Sequence, residues 1–315
     1  MTPALLRAEE TAFCLPYEGL VREITLLLQD PSVKVPDRLV QELAGGGSLF
    51  VMPALDSQVA ITKLITFTPA NAGSALPAIQ GDVVVFDITT GQRQLILDGP
   101  TVTARRTAAV SVLAAKYLAS CPQGPLLIVG AGVQGRAHLE AFADILHVKQ
   151  FMVASRSHGS AQALVAHAQS LGLQAQVVAD ANAALADCPL AVTCTPASGV
   201  VLSALPRQDG FISAVGAFTP KMIELSPLLC HHMATYGGVF LDTPDAAHEA
   251  GDLLQAGLKV ASFATLADVV RHDVRVSTGP VLFKSCGWAG WDLAAARVAL
   301  QQRSQISGKG LVGRA

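Results

Sequence analysis

Four short runs in the first third of the chain, SLFVMPAL, QVAITKLITF, GDVVVFDITTG and QRQLILDG, are β-branched or apolar and are bounded by Gly, Pro and Asn. Such runs read as strands, with Thr90-Gly91 as a hairpin turn, and together they predict an antiparallel meander. Ahead of them, residues 1–30 place Leu20, Ile24, Leu27 and Leu28 on one face and are expected to be helical. Behind them a helix is expected from about Thr103 to Ser120, punctuated by Cys121-Pro122-Gln123-Gly124. From Pro125 the pattern alternates: LLIVG, a helix through His147, FMVAS, a helix from about Ser160, AQVV, LAVTCT, FISAVGA and VFLDT. Strands and helices alternating at this spacing predict an α/β fold with a parallel sheet wound by crossover helices. WDLAAARVALQQ reads as a C-terminal helix that packs back on the first domain, and the glycine-rich SGKGLVGRA as a loose tail.

The meander carries one misfit. In QVAITKLITF the period-2 pattern sets Lys63 on the same face as Val59, Ile61, Ile65 and Phe67. An ammonium there is costly unless it snorkels to solvent at an edge or is paired with an anion. A second misfit lies in TARRTAAVSVLAAKYL, where two arginines stand where the helix is expected to begin and oppose its dipole. Arg106 shares a face with Ala109, Val110, Leu113 and Tyr117 and points inward, whereas Arg105, in line with Ala108, Val112 and Lys116, reads as an outward charge. Arg38 in VKVPDRLVQEL is a possible third cation.

Composition narrows the partners. Charged residues make up 15% of the 315 and hydrophobic ones 51%, against a usual charged share of about 25%, which leaves little charge to cover a monomer and suggests an oligomer. A net charge of -2 gives no electrostatic footprint for nucleic acid or an anionic membrane, so small molecules are the expected partners. The six cysteines form no Cys-x-x-Cys pair and read as reduced thiols. No secretory pattern or 18-residue apolar span is visible, and a cytoplasmic protein is expected.

LLIVGAGVQGRAHLEAF places Gly130, Gly132 and Gly135 as G-x-G-x-x-G directly after an apolar strand and at the start of an amphipathic helix. That context turns a weak motif into a phosphate-binding turn. Gly130 permits the tight turn, Gly132 lets the backbone approach a pyrophosphate, and Gly135 lets the helix pack on the strand. About 20 residues on, where an acidic residue would hold the ribose of NAD, stand Ser155, Arg156 and Ser157. An arginine pairs with a 2′-phosphate that a carboxylate would repel, so NADP(H) is favoured and NAD(H) remains possible.

The motifs MPAL, KLITFTPAN, LPAIQGDVVVFDITTG, ILDGPTVTARRTAAVS, IVGAGVQG, AVGAFTPKMIEL and FKSCG…WDLA, in this order, resemble those of the ornithine cyclodeaminase and mu-crystallin family over nearly the whole chain. The resemblance implies a homodimer: a substrate-binding and dimerisation domain of residues 1–118 joined by 288–315, with a Rossmann domain of residues 119–287 inserted. By motif, Arg38, Lys63 and Arg106 resemble the family's grip on a substrate carboxylate, with Met52 and Asn71 beside them. Thr107 falls in the same cleft or at the nicotinamide. Gly132, Val133, Gln134 and Gly135 match the pyrophosphate turn, Thr195 and Val215, Gly216 and Ala217 match segments passing over the cofactor, and Ser285 and Gly287 could approach it from the last crossover.

One departure bears on the activity. Cyclodeaminases of this family carry an aspartate in the VGxD segment, where this chain has Phe218, and their threonine in the preceding LPTI-like segment is Ala78 here. A phenyl ring neither accepts a proton nor pairs with a distal amine. The expected activity is therefore reduction of a cyclic ketimine, 1-pyrroline-2-carboxylate or 1-piperideine-2-carboxylate, to proline or pipecolate by hydride transfer to the C=N carbon. Lys63 is the candidate acid. Ornithine cyclodeaminase, alanine dehydrogenase and a non-catalytic ligand-binding protein are the alternatives. His231-His232 and His248-Glu249 read as structural, with no metal site expected. Asp242, Glu249 and Asp252 are candidates for lining the domain cleft, with caps or surface groups as the favoured reading.

Overall fold

The computed structural model describes residues 4–71, 76–196, 198–274 and 278–312, and divides into two compact units, Met1–Arg106 with Trp288–Ala315 and Thr107–Gly287. The N-terminal stretch is not one helix. It forms strand β1 (Ala4–Leu6), helix α1 (Ala8–Phe13) and helix α2 (Tyr17–Gln29). Pro16 divides the helices: it disfavours helical geometry in Leu15 and itself sits as the extended N-cap of α2. The expected face of Leu20, Ile24, Leu27 and Leu28 is buried.

The meander follows as β2 (Leu39–Leu43), β3 (Gly47–Leu55), β4 (Val59–Phe67), β5 (Ile79–Asp87) and β6 (Arg93–Asp98). The sheet order is β1-β6-β5-β4-β3-β2, antiparallel throughout except for β1, which pairs parallel to β6. The edge strands β1 and β2 escaped the sequence reading; β1 has only three residues, and every residue of β2 is exposed, so neither carries a periodic burial signal.

Helix α3 (Gly99–Leu118) begins one turn earlier than expected. Asp98 accepts the Thr101 N–H at 2.8 Å and so satisfies one of the first-turn donors. The arginine pair therefore lies in the second turn, where the dipole penalty has largely decayed.

The second unit alternates as expected: β7 (Leu126–Val129), α4 (Val133–Ile145), β8 (Gln150–Ala154), α5 (His158–Ser170), β9 (Gln174–Val177), α6 (Ala181–Ala184) and β10 (Leu190–Thr193). It continues through β11 (Ser198–Leu202), β12 (Phe211–Ala214), β13 (Ile223–Leu225), α7 (Pro227–Tyr236), β14 (Gly238–Leu241), α8 (Ala246–Glu249) and α9 (Gly251–Gln255). It closes with β15 (Ala264–Thr265), α10 (Leu266–His272) and β16 (Val281–Lys284). Eight of these strands make one parallel sheet in the order β15-β14-β16-β12-β10-β7-β8-β9, while β11 and β13 pair separately. The order reverses at β7, which makes the β7/β10 boundary a topological switch point. β7, β10, β12 and β16 are buried along their whole length, as central strands covered by helices on both faces should be.

Helix α11 (Ala289–Val312) then returns to the first unit, where it packs on α2 and on β3, β4 and β5. The helix runs through most of the expected loose tail. Trp291, Leu293 and Val298 are buried, and the buried small side chains of Ala294, Ala295, Ala296 and Ala299 let the helix sit close against its neighbours. Among the described residues no helix is long and apolar enough to cross a membrane.

Candidate active site

In the first unit, Lys63 stands on β4 between Met52 of β3 and Val83 of β5, on the face that buries Val59, Ile61 and Ile65. The snorkelling alternative fails, because Lys63 is only 1% exposed. Its Nζ lies 2.8 Å from Asp292 Oδ2, and Arg106 Nε lies 3.2 Å from Asp292 Oδ1. One fully buried carboxylate thus bridges two buried cations. Asp292 projects from the first turn of α11, where a negative charge is favoured by the helix dipole.

Burial pushes the Lys63 ammonium down to about 8; Asp292 opposes that fall, and the charges of Arg106 and Arg38 reinforce it. Arg38, half-buried just before β2, places its guanidinium 5.8 Å from the centroid of the Phe50 ring. Met52 is buried. Asn71 ends a short turn after β4 and donates from Nδ2 to the Pro77 carbonyl at 3.1 Å. Arg105 is not the outward charge expected from its helical position. Its Nε donates to the Leu15 carbonyl at 2.7 Å and its guanidinium lies 4.0 Å from the centroid of the Tyr17 ring, so it ties α3 to the start of α2.

In the second unit, Gly130 follows β7 with φ 115° and donates its N–H to the Ala154 carbonyl at 2.9 Å. A side chain at Gly135 would put its Cβ 2.0 Å from the Gly130 carbonyl oxygen, whereas one at Gly132, the N-cap of α4, would meet nothing within 4 Å. The turn is closed on the sheet side and open on the other, beside the first-turn N–H groups of α4, which is the shape a pyrophosphate requires. Val133 is exposed. The Gln134 carbonyl accepts from His138 Nδ1 at 2.7 Å, His138 Nε2 lies 2.9 Å from Ser111 Oγ, and Ser213 Oγ donates to Ser111 at 2.9 Å. Burial pushes His138 down to about 4, so the ring is neutral and this chain fixes the turn by hydrogen bonds alone. Thr107 is buried on α3.

Arg156 is exposed directly after β8, between half-buried Ser155 and Ser157, which caps α5 by accepting the Ser160 N–H at 3.3 Å. Thr195 follows β10, and Val215, Gly216 and Ala217 follow β12, all at carboxyl ends of parallel strands. Ser285 and Gly287 follow β16 and donate to Asp242 Oδ2, both at 2.8 Å. Phe218 packs partly buried against the core of this unit.

Besides Asp292, sequence reasoning missed the burial of three acids of the second unit. Asp242 and Asp252 are not surface groups: Asp242 gathers the β16 turn, and Asp252 accepts the N–H groups of Glu224 and Leu225 at 2.6 and 2.9 Å while pairing with Lys284 Nζ at 2.6 Å. The third, Glu224 of β13, accepts from Thr195 N and Oγ1 at 2.6 and 2.9 Å on Oε1. On Oε2 it accepts from Thr193 Oγ1, Gly216 N and Ala217 N at 3.0, 2.7 and 3.2 Å. Burial raises the Glu224 carboxyl, against the opposing charge of Lys284 and the Thr195 donors. Burial alone would lower the Lys284 ammonium, but Asp252, foremost among the nearby charges, raises it above its ordinary value. A signal existed for both: each is a lone charge in an apolar strand, MIEL and VLFK, the same misfit that singled out Lys63.

A doubly wound parallel sheet with a glycine-rich turn at its switch point defines the class as α/β proteins with a Rossmann-type unit. The chain belongs to the ornithine cyclodeaminase/mu-crystallin family, which it matches over residues 9–306. It is 37% identical over 296 residues to Delta(1)-pyrroline-2-carboxylate reductase 2 of Burkholderia ambifaria, covering 93% of both chains. It is 36% identical over 298 residues to the Delta(1)-pyrroline-2-carboxylate/Delta(1)-piperideine-2-carboxylate reductase of Azospirillum brasilense, again covering 93% of both. The solved structure of Thermococcus litoralis Delta(1)-pyrroline-2-carboxylate reductase in complex with NADH and L-proline superposes with a TM-score of 0.84 at 24% identity, covering 96% of this chain and 95% of that one; it shares the fold.

Proposed function

We propose that the protein is an NAD(P)H-dependent reductase of cyclic ketimines, converting 1-pyrroline-2-carboxylate to proline and 1-piperideine-2-carboxylate to pipecolate. The observation that carries this reading is the buried Lys63–Asp292–Arg106 cluster. Two cations share one carboxylate, which leaves a surplus of one positive charge, and a buried surplus charge calls for an anion such as a monocarboxylate substrate. Similarity to relatives named for both imines adds to it. Arg106 and Arg38 would hold the carboxylate with Lys63, while Met52 and Asn71 complete the substrate residues.

The turn at Gly130, Gly132, Val133, Gln134 and Gly135 fits a dinucleotide pyrophosphate, and Ser155, Arg156 and Ser157 fit an adenosine ribose carrying a 2′-phosphate. NADP(H) is therefore the favoured cofactor. When bound, the nicotinamide supplies hydride to the C=N carbon. The protein's part is to hold the carboxylate and to keep a proton on Lys63 for the imine nitrogen; with its pKa lowered to about 8, that ammonium is mostly charged at neutral pH and is a better proton donor than an ordinary lysine. Residues 1–118 with 288–315 serve as the substrate and dimerisation domain and residues 119–287 as the nucleotide domain of a cytoplasmic homodimer, in keeping with the low charged share of the chain and the six free cysteines.

A panel of 1-pyrroline-2-carboxylate, 1-piperideine-2-carboxylate, pyruvate with ammonia, and ornithine, each followed with NADPH or its oxidised form, tests the proposal. Oxidation of NADPH with either imine is expected. Robust proline and ammonia formation from ornithine would overturn it in favour of a cyclodeaminase, and Phe218 in place of that activity's aspartate argues against this outcome. Arg106→Ala is expected to keep nucleotide affinity and to lose turnover on the order of 100-fold; turnover at wild-type efficiency would remove Arg106 from the site.

A further inference from the structure

We infer that Glu224 is a positioning residue for the nicotinamide half of the cofactor, acting through the backbone of two loops. The inference rests on the nicotinamide nucleotide proposed above. Both oxygens of its buried carboxylate are taken by donors from the ends of two neighbouring strands: Thr193 and Thr195 of β10 and its loop, and Gly216 and Ala217 of the loop after β12. In a doubly wound sheet, one mononucleotide lies over the first strands, here β7 to β9, and the other over the strands beyond the switch point, here β10 and β12. The donors that Glu224 collects are therefore confined to the half that receives the nicotinamide.

The fit is close. A Cβ at Gly216 would lie 2.1 Å from the Thr195 carbonyl oxygen and 2.5 Å from Glu224 Oε1, so the two loops touch and the carboxylate fills the space behind them. Glu224 is itself fixed from behind, because its own N–H is held by Asp252 and Asp252 is paired with Lys284. The loops thus hang on a buried chain of charges that reaches no solvent, and their carbonyl and amide directions are set before any ligand arrives. Backbone N–H groups can only donate, so an amide at position 224 would turn one NH2 against them.

The test compares ligands that share the adenosine half. Affinities of NADH and NADPH, and of ADP-ribose and its 2′-phosphate, are measured by calorimetry on the full chain and on Glu224→Gln. The expected result is at least a tenfold loss for the complete nucleotides with the ADP-ribose ligands within twofold of wild type. Equal weakening of both classes, or no weakening of either, overturns the inference. Thr193→Val removes one donor from β10 with little change of shape. It decides the matter should Glu224→Gln not fold, with about a threefold selective loss expected and equal or absent losses overturning it. A wild-type protein that binds none of the four ligands overturns the cofactor reading itself, a different result from loss of selectivity.

Discussion

Lys63 was legible as a misfit from the alternation of its strand, because a charge among Val59, Ile61 and Ile65 violates the pattern whatever the fold. Its partner was not legible: Asp292 lies 229 residues away in sequence and reads locally as an ordinary polar position in WDLAAARVALQQ. Only the packing of α11 against β4 brings them to 2.8 Å. If Lys63 supplies the proton, kcat/KM for the imine falls as pH rises through about 8, since the donor is charged only below its pKa. Asp292→Asn removes the charge that raises that pKa, so the falling limb moves to lower pH by about one unit; an unmoved limb would detach Lys63 from proton transfer. The same substitution leaves buried cations under-compensated and is expected to cost about 3–5 kcal/mol in urea unfolding.

At the scale of elements, the strands of the meander and the alternating strands and helices of the second unit were readable from periodicity. What failed were short or exposed elements and the precise ends of helices. Asp98 shows why: its capping of Thr101 starts α3 a turn before the apolar stripe does. Asp98→Ala is expected to lower stability by about 0.5–2 kcal/mol in chemical denaturation. In α4 the contact between Gly135 and the Gly130 carbonyl is tighter than any Cβ tolerates. Gly135→Ala must therefore push the helix off β7, and isothermal titration is expected to show at least a tenfold loss of nucleotide affinity, with ADP-ribose and NADPH affected alike.

For the whole molecule, a nucleotide that binds the folded chain and not the unfolded one adds stability by mass action. Saturation at 100 times Kd is expected to add about 2.7 kcal/mol and to raise the thermal midpoint accordingly, with NADPH more effective than NADH at equal concentration if Arg156 meets a 2′-phosphate. Light scattering at micromolar concentration is expected to give the mass of a dimer of the 32.7 kDa chain.

The sequence by itself determined the sheet types, the glycine-rich turn and the inward direction of Lys63 and Arg106. These are properties of local spacing and of single side chains, which periodicity and covalent chemistry express directly. Tertiary structure decided which anion neutralises which cation, that Arg105 grips Leu15 and Tyr17, and that Glu224, Asp252, Lys284 and Asp242 are buried and paired. Such pairings join residues far apart in the chain, and a carboxylate's place in the low-dielectric interior depends on every element that covers it, which no local pattern records.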